Sequence, residues 1–101
     1  MDSQGIICSK GTANTPSIAS AATAIAANTE RAGWSIQNLG QNVLYIRLGA
    51  SASTSVFHFA LKAGTANDDG TGGSVSQTDG TVYTGIITIA GTSPRYTMME
   101  L

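Results

Sequence analysis

The chain contains little cysteine, histidine or charge. Its 101 residues include one cysteine, one histidine and 11% charged residues, and the formal net charge is -1. A chain with so few cations offers no positive field to attract nucleic acid or an anionic membrane. We therefore expect neither of them as a partner.

Cys8 is the one cysteine of the chain, so few kinds of cysteine chemistry are open to it. It cannot close an intramolecular disulfide, and no second Cys or His lies at metal-ligand spacing. Lys10 is its only basic neighbour, so nothing marks a reactive thiol. We expect Cys8 to lie in the core of a protein that can fold in a reducing cytoplasm.

Long apolar runs are absent as well. The first residues, MDSQGIICSK, lack a positive leader followed by an apolar run. No apolar stretch approaches the ~20 residues that a transmembrane helix needs. We expect neither a signal peptide nor a membrane span.

The segment Arg31–Gly49, RAGWSIQNLGQNVLYIRLG, has the clearest pattern in the chain. Side chains of a strand alternate between two faces, and the apolar residues here follow that period on both sides of Asn38–Asn42. The pattern predicts a β-hairpin whose turn is Asn38–Asn42, where Asn and Gly favour chain reversal. Five residues are expected to be buried: Trp34, Ile36, Leu44, Ile46 and Leu48.

Five further segments have the composition of strands. They are Gly5–Ser9, Ile18–Asn28, Val56–Leu61, Thr81–Ala90 and Arg95–Leu101. Ile18–Asn28 also fits a helical stripe, but its strand neighbours favour a strand. With the hairpin this makes about seven strands and predicts one all-β domain over residues 1–101, an antiparallel sandwich or jelly roll, with a partly open barrel as the alternative.

Three segments are expected to be irregular. Lys10–Ser17 contains Pro16, Ala50–Ser55 contains only Ala, Ser and Thr, and Ala63–Gly80 contains five glycines and three aspartates. We expect Ala63–Gly80 to project as a loop and residues 1–9 to form an extended arm.

Candidate sites in this composition are few. Asp68 and Asp69 are weak calcium candidates, because adjacent carboxylates on a glycine-rich loop can wrap a cation, yet the ligand spacing of an EF-hand is missing. The glycines of Gly70–Ser74 lack the strand, helix and Lys of a phosphate-binding loop. We therefore expect no metal and no cofactor.

His58 lies in VFHFAL without a recognisable relay of Ser, Asp or Glu, so we expect no enzyme. Alternation turns it outward with Val56 and Ala60, and turns Phe57, Phe59 and Leu61 toward the core. A carbohydrate site is a separate possibility, although aromatic residues spaced through strands are more often core or interface. Its candidates are Trp34, Tyr45, Tyr83 and Tyr96.

NTERAGWSIQNLGQNVLYIRLG resembles a pattern in small virion proteins of tailed bacteriophages. The matching features are an Asn-x-x-Arg turn at Asn28 and Arg31, I-Q-N-L-G at Ile36–Gly40 and V-L-Y-I at Val43–Ile46, with a weaker likeness at Gly91–Tyr96. The core and turn residues of this motif are Arg31, Trp34, Ile36, Asn38 and Gly40. The resemblance implies a β-sandwich virion structural protein.

The role implied by the resemblance is a capsid decoration or cement protein that stabilises the major capsid shell. We expect a homotrimer made in the host cytoplasm and located on the virion, with interface candidates at outward strand positions. These candidates are Val43, Tyr45, Val56, His58 and Ala60. A tail, neck or fibre-adaptor component and a carbohydrate-binding adhesion module are the alternative roles.

Overall fold

The computed structural model describes residues 21–78 and 82–100, apart from the side chain of Ala21. Those residues contain seven strands and no helix. Nor does the described part of the chain hold any helix long and apolar enough to cross a membrane. The strands are β1 (Ala21–Ile25), β2 (Trp34–Asn38), β3 (Leu44–Leu48), β4 (Phe59–Leu61), β5 (Ser74–Gln77), β6 (Ile87–Ala90) and β7 (Tyr96–Glu100).

Two antiparallel sheets pack together, which confirms the predicted all-β sandwich. One sheet has four strands in the order β1-β6-β3-β4, and the other has three in the order β5-β2-β7. Among the described strands, only β3 and β4 are both consecutive in sequence and hydrogen-bonded to each other. Of the connections between the described strands, all but that from β3 to β4 therefore cross from one sheet to the other and tie the two sheets together.

The core lies between the inner faces of the two sheets. Trp34 and Ile36 of β2 face inward from the three-stranded sheet, and Leu44 and Ile46 of β3 face inward from the four-stranded sheet. Each of these four side chains is 1% exposed or less, as the alternation predicted. Leu48 is only half-buried, so the fifth expected core position lies at the edge of the core.

The hairpin prediction for Arg31–Gly49 is wrong. β2 pairs with β5 and β7, whereas β3 pairs with β4 and β6. Each strand has one apolar face, and placing the two strands in facing sheets brings those faces together across the core. Asn38–Asn42 is therefore a corner between sheets and not a hairpin turn.

Two other strand assignments also need correction. Ala63–Gly80 was expected to project as a loop, but Ser74–Gln77 forms β5 and pairs with β2 through Val75 opposite Ile36. Val56–Leu61 was expected to be a strand, but β4 begins at Phe59 because the chain bends at residues 54–56. The bend leaves Phe57 40% exposed instead of buried.

The remaining strand predictions hold over shorter ranges. β1 lies within Ile18–Asn28, with its pairing to β6 shifted between Thr23 and Ile25, and β7 lies within Arg95–Leu101. Only the last four residues of Thr81–Ala90 form β6, and Gly85 precedes that strand. The predictions for Gly5–Ser9, Lys10–Ser17, Cys8 and the arm of residues 1–9 lie outside the described residues.

Candidate binding surface

The outer face of the four-stranded sheet carries most of the predicted interface residues. Because Leu44 and Ile46 point inward, the alternating residues Tyr45 and Arg47 point outward. Ala60 lies directly opposite Tyr45 on β4 and is exposed. Val43, two residues before Tyr45, is 39% exposed. The sheet thus has an apolar outer surface where β3 meets β4.

Residues 49–58, which we call the cover loop, fold over the outer side of this sheet. Thr88 of β6 fixes the loop: its Oγ1 donates to the Gly49 carbonyl at 2.7 Å and accepts from the Ala52 N–H at 3.0 Å. At the other end, Nδ1 of His58 accepts from the Leu48 N–H at 2.9 Å. These bonds explain why Thr88 and Ala52 are buried although both lie on the outer side.

The cover loop places a second aromatic ring on the outer surface. The ring of Phe57 lies against that of Tyr45, with centroids 4.8 Å apart and planes tilted by 51°. The neighbouring Val56 is 45% exposed. We call this surface, with Val43 and Ala60, the apolar patch. It contains four of the five interface candidates, and its further member, Phe57, was expected in the core.

Two cations border the apolar patch, and the described strands of this sheet and the cover loop contain no carboxylate. Arg47 lies two residues beyond Tyr45, and Lys62 follows β4 as an exposed residue. No Asp or Glu occurs in residues 43–62, in β1 or in β6. The described strands and loop of this face therefore carry positive charge, although the chain as a whole carries a formal net charge of -1.

The outer face of the three-stranded sheet is different. Ser35 and Gln37 of β2 point outward between Ser74 and Ser76 of β5 and Thr97 of β7. These side chains, with Met99, form a mostly polar surface with a shallow depression of about 360 Å³, while Met98 packs against the core. The depression contains no charged or nucleophile-activating group, so its chemistry is limited to hydrogen bonding.

Arg31 is the centre of a buried polar network. Its Nε donates to Oε2 of Glu100 at 2.9 Å, and neither the guanidinium nor the carboxylate is more than 10% exposed. The other two nitrogens donate to backbone carbonyls of Ala26, Tyr83 and Gly85 at 2.6 to 3.0 Å. The arginine of the Asn-x-x-Arg motif thus joins β7 to two connections between the sheets, which is a structural role.

Asn38 fixes the corner between the sheets. Its side-chain Nδ2 donates to the carbonyls of Asn42, Leu61 and Lys62, and its Oδ1 accepts from the Gly40 N–H at 2.9 Å. The side chain is fully buried, so these bonds replace all of its contacts with water. Gly40 fits beside Arg95, where an added Cβ would lie 3.3 Å from the Cβ of Arg95.

The two calcium candidates have partners within the protein. Asp68 accepts from the guanidinium of Arg95, and this hydrogen bond lowers the pKa of the carboxyl group. Asp69 accepts from the hydroxyls of Thr65 and Thr71 and from the Thr71 N–H, and these bonds lower its pKa to about 2. In the described ranges, no three His, Cys, Asp or Glu side chains are grouped so as to hold a metal ion.

The aromatic candidates for a sugar site do not share one surface. Trp34 and Tyr96 are 1% and 2% exposed and belong to the core. The indole N–H of Trp34 donates to Gln77 at 3.1 Å. Burial also raises the pKa of Tyr96. Tyr83 packs against the core, which leaves Tyr45 as the candidate on the outer face of the four-stranded sheet.

Sequence reasoning missed Phe57, Arg47 and Lys62 as members of this surface. The alternation of VFHFAL predicted that Phe57 is buried, but Phe57 lies outside the strand, because β4 starts two residues later. Arg47 and Lys62 had a usable signal, since each lies one residue beyond a buried position of β3 or β4.

Comparison of the chain with protein-family models, curated proteins and solved structures gives no match.

Proposed function

We propose that the chain is a virion structural protein of a tailed bacteriophage, a decoration or cement protein that stabilises the major capsid shell. The observation that carries the proposal is the apolar patch, because exposed apolar surface of this kind marks protein contacts in soluble proteins. The resemblance of Asn28–Gly49 to small phage virion proteins is the reason for proposing that the contact is with the capsid shell.

The apolar patch supports adhesion. Val43, Val56 and Phe57 are 39%, 45% and 40% exposed, and the ring of Tyr45 lies against that of Phe57. Burial of apolar area is favourable by about 25 cal/mol per Å², and aromatic residues are enriched at interface centres. The patch therefore gains free energy when another protein surface excludes water from it.

The proposal assigns no catalytic role to the chain. His58, its one histidine, uses Nδ1 as an acceptor for a backbone N–H in the cover loop. Asp68 and Asp69 are engaged by Arg95 and by two threonines. These groups serve local structure, which is consistent with a protein that works by binding.

The proposed assembly is a homotrimer at or near the threefold positions of the shell. A protein made in the host cytoplasm would add to the capsid surface in many copies. Only 11% of the residues are charged, so the surface contains much Ser, Thr, Gly and Ala, a composition suited to close protein contacts.

Quantitative mass spectrometry of purified particles tests the location. We expect the chain at hundreds of copies per particle, in a fixed ratio to the major shell protein, because a cement protein repeats with the lattice. About a dozen copies or fewer would contradict the decoration role and favour a neck or tail component. Light scattering after size-exclusion chromatography tests the trimer, and a monomeric mass at all concentrations would refute it.

A further inference from the structure

We infer that the outer face of the four-stranded sheet is the surface that contacts the shell, and that its partner is an apolar protein surface bordered by carboxylates. This inference rests on the proposed function and assigns one face of the sandwich to it. The apolar centre of the contact is the apolar patch, and its charged border is formed by Arg47 and Lys62.

The Tyr45–Phe57 pair has the properties of an interface anchor. The two rings contact each other, and Phe57 is presented by a loop that Thr88 and His58 fasten to the sheet. A ring held in this way loses little conformational entropy when a partner covers it. Residues that dominate binding energy are typically aromatic and lie near the centre of an interface.

The charges of the same face determine the kind of partner. Arg47 and Lys62 lie on either side of the apolar patch, and His58 is exposed between them in sequence. No carboxylate balances them in residues 43–62, in β1 or in β6. Interfaces match positive with negative potential, so the partner surface is expected to carry Asp or Glu around an apolar centre.

A second copy of this chain fits that description poorly. Two copies of the face related by a twofold axis would bring equal positive charges toward each other. Among the described residues a second copy could offer four carboxylates, and three of them are engaged: Asp68 bonds to Arg95, Asp69 to two threonines and Glu100 to Arg31. The fourth, Glu30, is a single exposed charge in the connection between β1 and β2. The outer face of the three-stranded sheet presents Ser, Thr, Gln and Met without charge.

Two pairs of substitutions separate charge on this face from charge in general. Arg47→Gln with Lys62→Gln removes two positive charges at the border of the apolar patch. The matched control, Ser76→Glu with Thr97→Glu, changes the net charge by the same amount on the outer face of the three-stranded sheet. Phe57→Ala removes the anchor at a position that is 40% exposed and outside any strand, so the variant is expected to fold.

The binding probe is a particle of the encoding phage produced without this chain. We expect Phe57→Ala to weaken binding at least about 30-fold, in line with an interface anchor. Arg47→Gln with Lys62→Gln should weaken it about 5- to 20-fold at about 50 mM salt and less at about 300 mM, since salt screens exposed charges. The control pair should bind within about twofold of the unaltered chain.

The outcomes distinguish the two proposals. Failure of the unaltered chain to bind the particles would overturn the proposed function and this inference with it. Normal binding by both Phe57→Ala and the Gln pair would overturn the inference alone, because the shell contact would then lie on another face. Binding to vesicles with anionic lipid that the Gln pair abolishes would also overturn it, by assigning the face to a membrane.

Discussion

Replacement of Arg31 by Met is the sharpest test of what holds the two sheets together. The guanidinium donates to the carboxylate of Glu100 and to three backbone carbonyls, and its side chain is fully buried. Met fills a similar volume but donates nothing. The variant therefore removes the guanidinium from the largely buried Glu100 and leaves the three carbonyls without that donor.

The loss of stability expected for Arg31→Met follows from the burial of the Arg31–Glu100 ion pair. Removal of one partner of a buried ion pair costs about 3 to 5 kcal/mol, because the remaining charge stays away from water. A small protein has about 5 to 15 kcal/mol of total stability, so Arg31→Met removes a large part of it. With a urea slope of about 1.5 kcal/mol per M, the unfolding midpoint should fall by roughly 2 to 3 M.

Urea unfolding followed by Trp34 fluorescence measures this change. Arg95→Met is the matched control, because Arg95 also pairs with a carboxylate, that of Asp68, but in an exposed pair that solvent screens. The control should change the midpoint far less than Arg31→Met. A loss below about 1 kcal/mol for Arg31→Met would refute the view that this network joins the sheets.

Three further predictions concern the core and the acidic loop. Trp34→Ala should reduce the free energy of unfolding by about 3 to 5 kcal/mol, because the ring is 1% exposed, and a loss under about 1 kcal/mol in denaturant would contradict its burial. Asp69 has its pKa lowered from 3.8 to about 2, so its contribution is present above pH 4 and is lost as the pH falls through about 2. Thermal melts from pH 7 to pH 2 should show a smaller acid loss for Asp69→Asn than for the unaltered chain, and equal losses would contradict this. Thermal melts with calcium and with chelator should coincide, because Asp68 and Asp69 accept hydrogen bonds from protein donors. A rise of several degrees in the melting temperature with calcium would indicate a metal site and contradict this expectation.

The inward faces of the strands were predictable, but their neighbours were not. Alternation in Trp34–Asn38 and Leu44–Leu48 specifies which side chains are buried, and the structure buries Trp34, Ile36, Leu44 and Ile46. The same pattern does not specify which strands pair with Trp34–Asn38 or with Leu44–Leu48. A five-residue connection with Asn and Gly suits a hairpin turn and a corner between sheets equally, and the hydrogen bonds of Asn38 decide for the corner.

The missed features depend on distant parts of the chain. β5 has the sequence SVSQ, with Val75 as its one apolar side chain, and it is a strand because the edge of β2 pairs with it. Arg31 was named as a core or turn residue through the resemblance, but its ion pair with Glu100 could not be predicted, because its partners come from three separate segments. Phe57 is exposed because a bend before β4 changes the alternation.

A cryo-electron microscopy map of the intact particle would show directly whether the sandwich binds the capsid shell through its four-stranded sheet. We expect density for the sandwich on the capsid surface, repeated with the lattice, with Tyr45 and Phe57 covered by the shell and acidic residues of the shell beside Arg47 and Lys62. A map that places the chain only at the neck or tail, or that leaves Phe57 facing solvent on the shell, would contradict it.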